Sequence, residues 1–316
     1  MRMRVWQIII GGLLAVGVAA CGSKPKDGRT DTYTSGVISI AVDESFQPIL
    51  QEEIDVFECL YPLAGIVPRF VTEREAVNLL LRDSVRLAVA TRMLTQEELL
   101  SFHSRKFFPQ QTKVATDGLA LIVNRLNTDT LICVDDVVRI LTGKVTRWRE
   151  LYPQSRLGQL TMVFDNQNSS TVRWMMDSIC QGAPLAKEQV KAVRTNAEVI
   201  NYVARTPDAI GVIGVNWLGN KDDSTHLTFR DEVRVMAVSA QRPATRENSY
   251  KPYQAYLFYG NYPLARPIYL LLNDPRNALP WGFYMFLTSD RGQRIILKSG
   301  LVPATQPVRV VHVKDE

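Results

Sequence analysis

Three strand-then-helix units follow one another early in this chain, and that alternation limits its architecture more than any other feature. Val37-Ile38-Ser39-Ile40-Ala41-Val42 is an apolar run of strand type. Asp43-Glu44-Ser45-Phe46 turns out of it, and Ile49, Leu50, Ile54, Phe57 and Leu60 then fall on one helical face. Ile66-Val67-Pro68-Arg69-Phe70 is a second strand. Thr72 and Glu75 have the spacing of a capping box before a helix bearing Ala76, Val77, Leu79, Leu80 and Leu81. Arg86-Leu87-Ala88-Val89-Ala90 is a third strand, and Thr95 and Glu98 repeat the capping-box spacing. Three such units in about eighty residues predict an α/β fold, a parallel sheet with helices on its faces.

The rest of the chain continues the pattern. Leu119 to Asn124 predicts a strand, Val134 to Thr142 a helix stopped at Gly143, and Ala197 to Arg205 a helix. Ala209 to Val215 predicts a strand flanked by glycine, and Val233 to Val238 and Ile268 to Leu272 predict further strands. Tyr262-Pro263-Leu264-Ala265-Arg266-Pro267 is a rigid segment able to carry the chain back toward the first units. Phe283 to Leu287 and Gly292 to Leu297 predict helices before a stop at Gly300.

One stretch carries candidate chemistry. Thr161-Met162-Val163-Phe164 is a short strand, and Val172, Met175, Met176 and Ile179 recur at helical spacing. Between them lies Asp165-Asn166-Gln167-Asn168-Ser169-Ser170-Thr171, where Asn168 or Ser169 is a good N-cap. If the helix tip faces a cleft, unpaired N–H groups, the positive dipole end and several hydroxyls converge on a spot suited to an anion. An ordinary capped helix on a surface loop is the competing reading.

Length and composition fit a globular protein. The 316 residues allow two domains, with 46% apolar and 22% charged content. The formal charge of +5 falls to +3 without Arg2 and Arg4, which gives no footprint for a nucleic-acid partner. Those two arginines precede an apolar run, Ile8 to Val16, too short and glycine-rich for a confident membrane span. Val18-Ala19-Ala20-Cys21 follows and resembles a bacterial lipoprotein signal. That resemblance implies cleavage after residue 20, acylation of Cys21 and anchoring to a lipid bilayer of the cell envelope, facing periplasm or cell surface. Residues 21–36 are polar and predict a flexible tether. Cys59, Cys133 and Cys180 lie in apolar surroundings, which predicts buried free thiols. No Cys/His spacing predicts a metal site. No P-loop, dinucleotide fingerprint or Gly-x-Ser-x-Gly elbow points to an enzyme, and no cofactor is expected.

The closing segment supplies the most specific resemblance. Phe283 to Leu287, Ser289-Asp290, Gly292-Gln293 and Gly300-Leu301-Val302-Pro303-Ala304-Thr305 run much as the last helices of substrate-binding lipoproteins of the phosphate ABC importer. Tyr262 to Tyr269 resembles that family's crossing segment, and Leu87 to Glu97 its third strand and turn. The resemblance spans roughly residues 37 to 309. It implies a two-lobed periplasmic-binding-protein fold of type II with a ligand cleft between the lobes. Lobe 1 is then 37–115 and 266–316, and lobe 2 is 116–265. The implied protein is not an enzyme. It is a monomer that captures phosphate or a similar oxyanion and docks on an ABC permease.

Carried over by position, the family's site implies ligand-binding roles for Ser45, Thr72, Ser169, Ser170 and Thr171. Two positions depart from the family pattern. Asp165 stands where the family has an arginine, and Thr91, with Arg92 beside it, where the family has an aspartate. The expected compensation is an exchange, with Arg92 as the cation and Asp165 as proton acceptor. It requires Arg92 to face the Ser170 helix across the cleft. Arg173, one turn into that helix, is an alternative cation expected to face solvent. A surface lipoprotein that kept the fold but works as a sensor or protein-interaction module is the competing function.

Overall fold

The computed structural model describes residues 29–219 and 228–308, so the signal segment and Cys21 lie outside the described residues. In chain order come β1 (Gly36–Asp43), α1 (Gln47–Leu60), β2 (Ala64–Val71), α2 (Glu73–Leu81), β3 (Leu87–Ala90), α3 (Gln96–Ser104) and β4 (Gln110–Asn124). Then follow β5 (Leu131–Cys133), α4 (Val134–Leu141), β6 (Thr161–Phe164), α5 (Ser170–Trp174), β7 (Val190–Ala192), α6 (Asn196–Arg205) and β8 (Ala209–Gly214). The chain continues through β9 (Val233–Val235), β10 (Ala237–Ser239), β11 (Ser249–Tyr250), α7 (Gln254–Phe258), β12 (Ala265–Leu272), α8 (Leu279–Thr288), α9 (Asp290–Lys298) and β13 (Val302–Pro303).

The predicted caps form as the residue types dictate. Thr72 accepts from the Glu75 N–H, and Thr95 and Glu98 make the reciprocal capping box. Gly143 and Gly300 follow their helices with φ of 77° and 85°, a conformation that costs a residue without a Cβ little.

One sheet dominates, in the order β2-β1-β3-β12-β4-β8-β6-β7, with β13 and β9 also on β4. The first three strands are mutually parallel, as the alternation predicts. A second parallel set, β8-β6-β7, lies on the far side. Between the two sets run β12 and β4, antiparallel to each other. β4 is one 15-residue strand. Its first part pairs with β12 and residues Leu119 to Val123 pair with β8, so it threads both halves of the sheet. Sequence periodicity catches only its apolar second part, because Gln110 to Lys113 alternate with no strong apolar side. The carboxyl ends of β1, β3 and β6 therefore point toward the middle, where open α/β sheets place their sites.

Three expectations are corrected here. Cys59 is exposed, while Cys133 and Cys180 are buried, and all three are free. Cys59 follows Phe57 and Glu58 on the outward flank of α1, so its apolar neighbours in sequence are not its neighbours in space. The helix after β6 buries Ser170, Thr171, Trp174 and Met175 and leaves Val172, Met176 and Ile179 half-buried. It widens into a π turn over Met175–Ile179, which shifts the phase on which periodicity depends. Residues 29–35, expected within the tether, are bound to the body. Arg29 pairs with Asp31 at 2.7 Å and Asp274 at 3.1 Å, and the Leu279 N–H donates to Asp31.

Candidate functional site

The middle of the sheet holds a cluster of buried polar groups. Asp43 closes β1, Ser45 follows it, and Asp165 follows β6. Ser169 caps the next helix by accepting from the Val172 N–H at 3.3 Å, which leaves Ser170 and Thr171 in its first turn. Arg266 on β12 and Asp117 on β4 meet between these strand ends, and both are fully buried. Arg266 Nε donates to Asp117 Oδ2 at 2.9 Å, and Nη1 donates to Ser170 Oγ at 2.9 Å and Thr171 Oγ1 at 3.4 Å. Phe46 covers the guanidinium, 5.1 Å from ring centre to Cζ. Gly214, which ends β8, makes room beside this pair. A Cβ there would stand 3.1 Å from Asp117 Oδ2 and 3.0 Å from Asn216 Nδ2.

The predicted residues divide into two groups. Ser45, Thr91, Asp165, Ser169, Ser170 and Thr171 are buried and gather here, with Ser45 Oγ 3.4 Å from Ser170 Oγ. Thr72 is spent on its capping bond, and Arg92 does not meet the Ser170 helix. Arg92 holds Glu98 with both nitrogens at 2.8 Å, and Glu98 in turn closes the cap of α3. A carboxylate six residues away satisfies the Arg92 guanidinium locally. The guanidinium facing Ser170 and Thr171 is Arg266.

Sequence reading missed Arg266, Asp117 and Glu73 as site residues. Asp117-Gly118 looks like a turn ahead of an apolar strand. Arg266 enters the sequence reading only as part of a crossing segment, although a lone arginine beside an apolar strand is a usable signal, since a buried charge requires a partner. Arg173, expected in solvent, is only 28% exposed in its side chain. It reaches Glu73 Oε2 at 2.5 Å through Nε and Thr91 Oγ1 at 2.7 Å through Nη2. Glu73 also accepts from the Thr91 N–H and hydroxyl, each at 2.6 Å.

Carboxyl groups outnumber guanidiniums in the cluster. Burial pushes the Asp43 carboxyl up to about 7, against the pull of Arg266 and with a further push from Glu73. Burial also raises Glu44 to about 7, opposed by its bonds from Asn196. Asp165 and Asp117 are raised by burial, in part offset by Ser169 and Arg266 respectively. Glu73 differs: burial raises it, but its bonds from Arg173 and Thr91 together hold it below the ordinary range. Asp43 Oδ2, Asp165 Oδ1 and Arg266 Nη2 are buried without a hydrogen-bond partner in the protein. Such groups normally find one. A polar centre holding both acceptors and a guanidinium edge can take a small ligand that offers both kinds of bond.

Among the described residues, no group of three or more His, Cys, Asp or Glu is placed to hold a metal ion, and no helix is long and apolar enough to cross a membrane.

Comparisons with known proteins converge on one family. The model for the PBP superfamily domain matches residues 27–291. The phosphate-binding protein PstS of Staphylococcus aureus is 23% identical over 307 residues, covering 92% of this chain and 86% of that relative. Among solved structures, a Clostridium perfringens protein assigned as a phosphate ABC transporter substrate-binding protein, with bound phosphate, superposes with a TM-score of 0.70 at 19% identity. The match covers 85% of this chain and all of that one. An ABC-type phosphate transport receptor from Vibrio cholerae gives a TM-score of 0.63 at 19% identity over 85% of this chain and all of its own.

Proposed function

The chain belongs to the PBP superfamily, and from that membership we propose that it is a solute-binding protein that captures a tetrahedral oxyanion, phosphate first, for an ABC importer. The two lobes are 37–115 with 266–316, and 116–265. They close on the ligand about the crossing strands β4 and β12, the kind of hinge motion such proteins use. Acylated Cys21 holds the protein to a membrane of the cell envelope, where it serves an ABC permease as a monomer. The role is binding, with no reaction catalysed.

One observation carries this reading. Arg266 is fully buried where the two halves of the sheet meet. It is neutralised on one edge by Asp117, bonded to Ser170 and Thr171 on another, and left with Nη2 unpartnered. A buried guanidinium flanked by hydroxyls suits an oxyanion, because charge-assisted bonds are stronger than neutral ones. Ser45, Thr91, Ser170 and Thr171 would contribute hydroxyls, and Arg266 and Arg173 positive charge. Asp165 would accept a hydrogen bond from a protonated ligand oxygen, favouring hydrogen phosphate over sulfate, which has only acceptors to offer.

Calorimetry with inorganic phosphate and with sulfate on a chain lacking residues 1–28 tests it. Phosphate should bind more tightly than sulfate. Arg266→Gln should weaken phosphate at least tenfold, since one charge-assisted bond contributes about 1.5–3 kcal/mol. Ser170→Ala should weaken it as well, with less risk to folding. Binding of neither anion overturns the reading. In that case the sensor or protein-interaction reading gains, because Glu73, Thr91 and Arg173 already satisfy one another.

A further inference from the structure

The carboxylate of Glu73 has a set of partners unusual for a side chain at the first position of a helix. It is 2% exposed, and it accepts from a backbone N–H, a hydroxyl and a guanidinium. Thr91, which supplies the first two donors, directly follows β3 in the first half of the sheet. Arg173, which supplies the third, lies on the helix after β6 in the second half. The Glu73 to Arg173 bond at 2.5 Å therefore joins the two halves directly. Arg173 has one further carboxylate in reach, Asp177 at 3.5 Å, which is half exposed and screened by solvent.

We infer that Glu73 is a built-in competitor for the anion site: its carboxylate takes donors that an incoming oxyanion would use, and the bond to Arg173 latches the two halves together. A carboxylate and a phosphate ask the same things of Thr91 and Arg173, namely N–H and O–H donors and positive charge. An entering anion must therefore displace Glu73 from Arg173 or bind with fewer donors. Glu73 also adds negative charge beside Asp43 and so opposes any dianion brought near both. Other contacts also cross between the halves, among them Ser45 Oγ with Ser170 Oγ at 3.4 Å and the Arg266 bonds to Ser170 and Thr171. Asn196 Nδ2 donates to Glu44, and the Ser45 carbonyl accepts from Asn216 Nδ2 at 3.1 Å and Trp217 Nε1 at 2.8 Å. Apart from Arg266 and Asp117 on the crossing strands, Glu73 and Arg173 are the one full-charge pair between the halves among the described residues.

This inference rests on the oxyanion reading for the identity of the ligand, but the latch has its own readout. Small-angle scattering without added anion, with Trp217 emission as a second signal, compares the native chain with Glu73→Gln and Arg173→Gln. Both variants should expand relative to the native chain. Inorganic phosphate should then bind Glu73→Gln at least tenfold more tightly than native, and Arg173→Gln more weakly. These opposite signs separate competition from general damage to the fold. If the native chain binds phosphate while Glu73→Gln neither expands nor binds more tightly, the latch is refuted and the oxyanion reading stands. If no variant binds phosphate but Glu73→Gln expands, the latch stands and the oxyanion reading falls.

Discussion

Replacing Glu53 by glutamine should stabilise this protein, and by more at pH 8 than at pH 5. Glu53 lies on the inner face of α1, fully buried, and neither carboxyl oxygen has a hydrogen-bond partner. It borders a cavity of about 20 Å³ with Ile49, Leu50, Val114, Ala115, Ile268 and Leu270. The last four belong to the crossing strands, beside the register shift at Ile268/Tyr269. Burial, with a smaller push from Glu52, raises its carboxyl to about 9 from an ordinary 4.5.

The folded protein therefore keeps this proton well above the pH at which the unfolded chain loses it. In that window the folded state binds more protons, so stability falls as pH rises from about 4.5 to about 9. Each unit is worth about 1.4 kcal/mol, so about 3 units between 4.5 and 7.5 cost on the order of 4 kcal/mol. Water entering the cavity will reduce that figure, since it holds room for one water molecule. Glutamine has the same shape and does not titrate. Urea unfolding at pH 5 and pH 8 measures the difference, with equal slopes required for comparison. A gain of about 2–4 kcal/mol at pH 8 and under about 1 kcal/mol at pH 5 is expected. The same gain at both pH values would refute an ionisation cost at Glu53.

Three further outcomes follow from the contacts described. Arg266→Met leaves the Asp117 carboxylate buried and uncompensated, so denaturation should show a loss of about 3–5 kcal/mol, larger than for any substitution at Arg92. Ser169→Ala removes the bond to the Val172 N–H and should cost about 1 kcal/mol in a urea titration. In a chain lacking residues 1–28, a thiol reagent should modify Cys59 promptly and Cys133 and Cys180 only after unfolding. The latter two are buried, and burial also raises both thiols.

The strand and helix alternation through residue 104, the caps at Thr72 and Thr95, Ser169 as one of two cap candidates, and the glycine stops at 143 and 300 were all legible in the sequence. Each depends on residues within one turn or one strand of each other. The hydroxyl cluster at Ser169 to Thr171 was legible for the same reason. Pairing of the charges was not. Arg92 lies beside the expected site in sequence but turns to Glu98, six residues on. Arg266 meets Asp117 from 149 residues away, and Arg173 meets Glu73 from 100 residues away. A guanidinium binds whichever carboxylate the strand order brings within about 3 Å. That order is set by how β4 and β12 pass between two parallel sets, and no local period encodes it. The sequence by itself thus determined the building units and one anion-suited helix start. The tertiary structure decided which cation faces that start and which carboxylate lies against it, because electrostatic pairing depends on distance in space and not on separation along the chain.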